Sequence, residues 1–226
     1  MLDYLPALVI VAGLGVMAYF MTKAGREADQ KRKAAADSNG WQYDSYRSAI
    51  VYNVPDEERN ISYRLSGVTS QRANWNVTCR HLKTIEKGSD LKVELQPSTE
   101  FEAQLVCEHP FLIMPHDGIT LPDFVLAQIF KKLNFPDDTP RVEGEQLPAQ
   151  FSATYALYTA APGAAGIASQ AVPLLTNWSS KYKGKRNALI IKGGPDGFKV
   201  RTERGMEKAE EMVYFTETAL SLSQLC

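Results

Sequence analysis

Cysteine is scarce in this sequence, which has only Cys79, Cys107 and Cys226 among its 226 residues. The number is odd and no two of them have CxxC spacing, which argues against a disulfide framework. Cysteine usage of this kind is typical of proteins in a reducing compartment. We therefore expect all three to be small, buried, apolar side chains.

Histidine is equally scarce, since only His81, His109 and His116 are present. Cys107, His109, His116 and Asp117 lie close together in the sequence and could supply metal ligands. Their spacing matches none of the usual zinc patterns, and two prolines interrupt the segment between them. We therefore predict no metal site, with a buried cysteine and surface histidines in its place. A structural metal is the alternative.

Motifs for catalysis or cofactor binding are also missing. No GxSxG nucleophile signature occurs. The glycine-rich segment 193–197 lacks the spacing of a phosphate loop and leads into a strand, so a hairpin turn explains it better. The paired acids at 56–58 and 210–211 are typical of solvated faces. The sequence therefore predicts no catalytic residue and no cofactor, and a protein that is not an enzyme.

Positive and negative charges are nearly balanced over the whole chain, whose formal net charge is −1. Basic residues are instead concentrated between residues 23 and 33. No Lys/Arg-dense face of the kind that binds phosphate backbones is evident in the remainder. We therefore expect no nucleic acid partner.

A long uncharged run extends from Tyr4 to Thr22, between Asp3 and Lys23, and contains 19 residues. At roughly 1.5 Å per residue, a helix of this length spans close to the roughly 30 Å hydrocarbon layer of a bilayer. A cleaved signal peptide is the alternative, but the basic residues expected before its apolar part follow it instead. Residues 1–22 are therefore predicted to form a short N-terminus and one transmembrane helix.

The predicted span contains no His, Asp, Glu, Lys or Arg, which removes the groups needed for a proton relay, haem or chlorophyll ligation or an ion path within it. Small residues lie within one sector of the helix and would let another helix approach closely. Small residues are also simply common in transmembrane helices. The residues of this predicted packing sector are Ala7, Ala12, Gly15 and Ala18.

A basic juxtamembrane helix is predicted over residues 23–40, ending at Ser38-Asn39-Gly40. Its basic side chains would hold it at an anionic leaflet surface. Because they follow the span, the positive-inside rule places the C-terminal domain in the cytoplasm and the N-terminus outside, in an inner or plasma membrane. The predicted membrane-surface cluster comprises Lys23, Arg26, Lys31, Arg32 and Lys33.

The remaining chain alternates strand and helix patterns and predicts an α+β fold with a mainly antiparallel sheet and packed helices. Residues 41–135 form a predicted β-rich subdomain, with a meander of strands and a closing helix over 122–133. Residues 136–149 are a predicted linker loop. Residues 150–226 form a smaller predicted α/β subdomain, with a strand over 151–159, an Ala-rich helix interrupted at Pro173, a hairpin and a C-terminal helix.

Aromatic side chains cluster directly after the juxtamembrane helix. Trp41, Tyr43 and Tyr46 could form a contact surface for a partner or for the membrane interface, together with Tyr52. The alternative is that they belong to the core, where such residues are more often found.

These observations favour a non-enzymatic, single-pass accessory or scaffold subunit that packs against integral-membrane protein subunits in the lipid bilayer and stabilises a larger complex. Respiratory and photosynthetic assemblies often recruit such single-span subunits, but no residue of this sequence selects one of them. A membrane-tethered sensor or ligand-binding module, with a pocket near residues 136–148, is the alternative. A membrane-anchored enzyme is the third hypothesis, and it would need His81, His109 or His116 to lie beside an acid or a cysteine.

Overall fold

The structure is a computed structural model that describes residues 5–46, 60–81, 83–87, 91–116, 122–184 and 187–226, with side chains for all of these except 5–18, 21, 83–87, 91–95, 123 and 164. The helices are α1 (Leu5–Ser38), α2 (Asp123–Leu133), α3 (Ala149–Ser152), α4 (Ala164–Lys181) and α5 (Ala209–Leu222). Short 3-10 turns occupy Gly144–Gln146 and Ser223–Leu225.

The described strands are β1 (Gln42–Ser45), β2 (Ile61–Val68), β3 (Asn74–Arg80), β4 (Lys83–Lys87), β5 (Leu91–Leu95), β6 (Ser98–Ala103), β7 (Phe111–Pro115), β8 (Tyr155–Thr159), β9 (Ile190–Gly194) and β10 (Gly197–Thr202). Eight of them form one sheet in the order β1-β2-β3-β6-β10-β9-β7-β8, and every pairing in it is antiparallel. The α+β class with an antiparallel sheet is therefore confirmed.

The strand order departs from a simple meander after β3. Strands β4 and β5 pair only with each other, and β6 returns to pair with β3 on one side and β10 on the other. Strands before and after the predicted linker at 136–149 therefore share one sheet. The linker itself runs along the outer edge, where Val142 donates its backbone N–H to the carbonyl of Leu157 in β8 at 2.8 Å.

The main core lies between one sheet face and helices α4, α5 and the C-terminal part of α1. Alternate residues of β2, β3 and β6 point into it, as the period of two predicts. Helix α2 packs on the opposite face and forms a second, smaller core with β7 and β8. The main-core residues of the three alternating strands are Tyr63, Leu65, Trp75, Val77, Cys79, Phe101 and Ala103.

The β9–β10 connection is a tight hairpin. Gly194 pairs with Gly197, so Pro195 and Asp196 form a two-residue turn. Gly197 has φ +120°, and a Cβ at this position would lie 2.8 Å from the carbonyl oxygen of Ala103. Only glycine accommodates both constraints. The hairpin interpretation of this glycine-rich segment is confirmed.

Two predictions, one for a helix and one for a strand, need revision. Helix α4 continues through Pro173 without a break. The strand predicted to begin at Phe151 begins instead at Tyr155, because residues 149–152 form the short helix α3. The predicted end of α2 is confirmed, since Asn134 adopts the left-handed conformation that closes it.

Helix α1 has 34 residues and, at about 1.5 Å per residue, is about 51 Å long. A search of the described residues finds no helix that combines the length and the apolar character needed to cross a membrane. The side chains of Ala7, Ala12, Gly15 and Ala18 lie outside the described ones. The transmembrane helix and its packing sector therefore stay predictions.

The cysteine prediction is wrong for two of the three residues. Cys107 and Cys226 form a disulfide whose Cα atoms are 4.5 Å apart and whose sequence separation is 119 residues. Helix α5 returns the C-terminus to the segment between β6 and β7, a contact that sequence spacing does not encode. Cys79 is free and buried, as predicted. Because Cys107 is oxidised, it is not available as a metal ligand.

Candidate functional site

The most unusual polar site of the described chain is the junction between α1 and the domain. The C-terminal part of α1 packs against α5 and β1. Ala36 is fully buried in this contact. Gly40, with φ +72°, then reverses the chain, and the backbone N–H of Trp41 donates to the Ala36 carbonyl at 2.9 Å. The turn directs the chain from the helix into β1.

Arg32 is the centre of this junction. It is only 1% exposed, which is rare for a charged side chain unless it is paired. Its Nε donates to the hydroxyl of Tyr43 at 3.0 Å, and one terminal nitrogen donates to the backbone carbonyl of Glu207 at 2.5 Å. The other terminal nitrogen forms an ion pair with Asp29. The guanidinium therefore joins α1, β1 and the segment before α5.

Asp29 completes the network. Its carboxylate also accepts hydrogen bonds from the hydroxyls of Tyr43 at 3.0 Å and Ser45 at 3.1 Å. Burial raises the pKa of Asp29, but the hydrogen bonds from Arg32 and Tyr43 outweigh it and the net pKa is lowered. Burial acts to lower the pKa of Arg32, but its hydrogen bonds with Tyr43 and Asp29 outweigh burial, and the net pKa is raised. The pair is therefore ionised at neutral pH.

The predicted membrane-surface cluster divides into two groups. Lys23, Arg26, Lys31 and Lys33 are exposed and could meet a leaflet surface. Arg32 is buried, so its assignment to that cluster is wrong. Asp29, three residues earlier, is a helix neighbour of Arg32, but it is equally a neighbour of Lys33, four residues later, so this spacing alone does not distinguish Arg32 in the sequence.

Of the predicted aromatic contact surface, the structure places Trp41 and Tyr43 partly buried against the main core. Trp41 meets Trp75 edge to face at 5.7 Å, and Tyr43 stacks on Tyr63 at 5.9 Å between ring centroids. The core alternative therefore describes both better. Tyr46 is half-buried, and the guanidinium of Arg64 lies 5.0 Å from its ring centroid. Tyr52 lies outside the described residues.

The histidines have separate environments. His81 contacts the Ser62 hydroxyl at 3.3 Å, and His116 contacts the Ser152 carbonyl at 2.7 Å. His109 is exposed. In the described part of the chain, no three His, Cys, Asp or Glu side chains are grouped as a metal site would require. Asp117 and the acids at 56–58 lie outside that part.

A small cleft of about 310 Å³ lies beside Pro136 and the β9–β10 hairpin. Lys192 in its wall is 7% exposed and donates to the carbonyls of Leu133 and Asn134 at 3.1 and 2.7 Å. Burial lowers the pKa of Lys192, with Asp196 opposing that effect. These contacts satisfy the carbonyl end of α2, where a cation is favourable. The lysine therefore has a structural role that needs no ligand.

A larger cleft, of about 490 Å³, opens between α4 and the α3–β8 segment. It lies close to the predicted linker but is formed by the residues after it. Its walls combine apolar and aromatic side chains with polar side chains, which are hydroxyls and one amide. The lining residues are Gln150, Phe151, Thr154, Tyr155, Val172, Leu175, Thr176, Ser179 and Ser180.

No family model matches this chain, and neither the curated proteins nor the solved structures include a significant match to it.

Proposed function

We propose that this chain is a single-pass accessory subunit whose helix packs against integral-membrane proteins and whose α+β domain braces the assembly. The observation that carries the proposal is the continuity of α1. One helix extends from the uncharged run at residues 5–22 to the network around Arg32. An anchor that is also an integral part of the domain can hold that domain at a fixed position.

The geometry supports a short, stiff connection. Asp29, the first residue of the network, follows Thr22 by seven residues, which is about 10 Å of helix. No turn or loop intervenes between them. In the proposed arrangement the domain would therefore lie against the membrane surface and near the exposed parts of any neighbouring subunit.

We expect the full-length protein, tagged at its N-terminus and extracted in mild detergent, to copurify with a discrete set of integral-membrane proteins. The variant Gly15→Leu should lose them, because it fills the predicted packing sector while keeping the segment apolar. Gly13→Leu is the matched control. It makes the same change in side-chain size, but Gly13 lies about 160° from Gly15 around the helix. A monomeric, partner-free protein would contradict the proposal. The same holds if both variants lose the copurifying membrane proteins to an equal extent.

We further propose that the domain lies in the cytoplasm. The exposed basic residues Lys23, Arg26, Lys31 and Lys33 follow the predicted span, whereas residues 1–3 before it contain no lysine or arginine. The Cys107–Cys226 disulfide opposes this orientation, because structural disulfides are typical of oxidising compartments. In the cytoplasm the pair would be reduced and would close only on oxidation.

Reporter fusions at the C-terminus test this orientation. A green fluorescent reporter that folds only in the cytoplasm should be bright, and an alkaline phosphatase that is active only outside should be inactive. Replacing Lys23, Arg26, Lys31 and Lys33 by glutamine should shift activity towards the phosphatase. An active phosphatase on the unaltered chain contradicts the cytoplasmic assignment.

A ligand-binding module is the second candidate function. The 490 Å³ cleft favours it, because its volume lies within the range of about 300–1,000 Å³ that is common for small-molecule sites. This function is compatible with membrane anchoring and depends on a different part of the molecule.

A further inference from the structure

The Cys107–Cys226 disulfide joins two parts of the fold that have other attachments of their own. Cys107 lies between β6 and β7, and its backbone N–H donates to the Gly194 carbonyl at 3.1 Å. Cys226 follows α5, which buries Phe215 and Leu222 in the main core. Because neither attachment depends on the S–S bond, the two sulfur atoms should stay close to each other when the bond is open.

The two sulfur atoms have different environments. Cys107 is 3% exposed, and its Sγ lies over Gly193, where a Cβ would come within 2.7 Å of it. The ring of Phe111 packs on the same glycine. Cys226 is half-buried. A thiolate from solvent should therefore reach the Cys226 sulfur first, with Cys107 as the leaving group.

Residues 223–226 have few other attachments. Among the described residues their hydrogen bonds are local, since the Ser223 hydroxyl donates to the Leu220 carbonyl at 2.7 Å and the Cys226 N–H to the Ser223 carbonyl at 3.4 Å. Gln224 is exposed. Segments with few buried contacts open locally at a much lower cost than the whole domain. The S–S bond is therefore the main tether between the end of this segment and the sheet.

We propose that Cys107 and Cys226 are a reversible redox site, which a dithiol reductant opens at the Cys226 sulfur and a small disulfide closes. In the oxidised state the bond fastens residues 223–226 to the segment between β6 and β7. In the reduced state these residues detach while the remaining domain keeps its fold. This site does not depend on the proposed anchoring function, since the compartment determines only which state prevails.

Opening and closure are both thiol–disulfide exchanges. A thiolate of the dithiol attacks Cys226 Sγ, the bond to Cys107 breaks, and the Cys107 thiolate takes up a proton. The second thiol of the reductant displaces Cys226, which is also protonated, and the reductant leaves as a cyclic disulfide. Two electrons and two protons pass to the protein. In closure, glutathione disulfide forms a mixed disulfide with Cys226, and Cys107 displaces the glutathione, so that two glutathione thiols are released.

Reduction kinetics of the full chain in lipid nanodiscs test the opening step. The oxidised protein is treated with dithiothreitol, and its thiols are alkylated at intervals and located by peptide mass spectrometry. We expect the opening rate to rise about tenfold with about tenfold more dithiothreitol, and to change less than about twofold in about 1 M urea. A bond that opens only on global unfolding would open at least about fivefold faster in that urea, as typical urea dependences imply. Such acceleration, or a rate independent of dithiothreitol, would overturn the proposal.

Closure is tested with glutathione disulfide after the dithiothreitol has been removed. The unaltered chain should recover the Cys107–Cys226 bond and retain no glutathione, because the neighbouring thiol displaces it. Cys107→Ser is the matched control and should keep one glutathione on Cys226. Cys79→Ala should behave like the unaltered chain, since Cys79 is buried and takes no part. Glutathione that persists on the unaltered chain would contradict a reversible pair.

Hydrogen exchange locates the structural change. At exchange times of seconds to minutes, which report local opening, reduction should accelerate exchange about tenfold over residues 222–226 and leave residues 209–216 unchanged. Cys107→Ala/Cys226→Ala should match the reduced protein under both redox conditions. Acceleration throughout α5, or no acceleration after it, would overturn the release of residues 223–226.

Discussion

Reduction of the Cys107–Cys226 disulfide is expected to lower the free energy of unfolding by about 3–5 kcal/mol. The bond closes a loop across a separation of 119 residues, and cross-links that close long loops restrict the unfolded chain most. For a loop of about 100 residues the chain-entropy estimate is about 4.7 kcal/mol. The measurement is the urea midpoint of the full chain before and after reduction, and Cys107→Ala/Cys226→Ala should match the reduced protein.

Cys79 provides the internal control for this experiment. Its thiol is buried, and burial raises its pKa to about 11, so almost no reactive thiolate is present at neutral pH. The native oxidised protein should therefore show no reactive thiol, one after unfolding, and three after unfolding with reduction. Three thiols in the unfolded protein after deliberate oxidation would contradict the disulfide.

The strands that the sequence identifies well are those with one buried face. In β2 and β3 the residues that enter the main core alternate with polar ones, so a period of two is visible in the sequence. Strand β8 is buried at every position from Tyr155 to Thr159. Without alternation its start could not be distinguished from the helical turn at residues 149–152, and the prediction missed that boundary.

The pairing of strands was much less predictable than the strands themselves. β6 pairs with β3 and β10, although β4 and β5 separate it from β3 in the sequence. Such contacts depend on which faces the folded chain brings together. The Cys107–Cys226 disulfide has the same origin, and cysteine spacing alone does not determine connectivity.

The candidate sites were the least visible in the sequence. Arg32 belongs to a run of basic residues of which its two neighbours, Lys31 and Lys33, are exposed. Helical periodicity places Arg32 one turn before Ala36, which the fold buries, whereas Asp29 is a helix neighbour of both Arg32 and Lys33.

The second large effect is expected for Arg32→Met, which keeps much of the apolar stem and removes the guanidinium. Asp29 would lose its cationic partner, and the Glu207 carbonyl would lose its donor. Breaking a fully buried ion pair costs about 3–5 kcal/mol. Because the Asp29 side chain is 23% exposed, we expect about 2–4 kcal/mol here, measured by urea unfolding.

Hydrogen exchange shows whether this loss also separates α1 from the domain. In Arg32→Met, protection should fall over residues 29–38 and before α5, and should be retained in β7 and β9, which lie away from the network. Arg26→Met is the matched control, because Arg26 is exposed on the same helix and its replacement should change stability by about 0.5 kcal/mol or less. Arg32→Lys should recover little, since one ammonium cannot replace the planar fork that meets Asp29, Tyr43 and the Glu207 carbonyl together. If Arg32→Met and Arg26→Met behave alike, the network does not hold α1, and the fixed position proposed for the domain loses its physical basis.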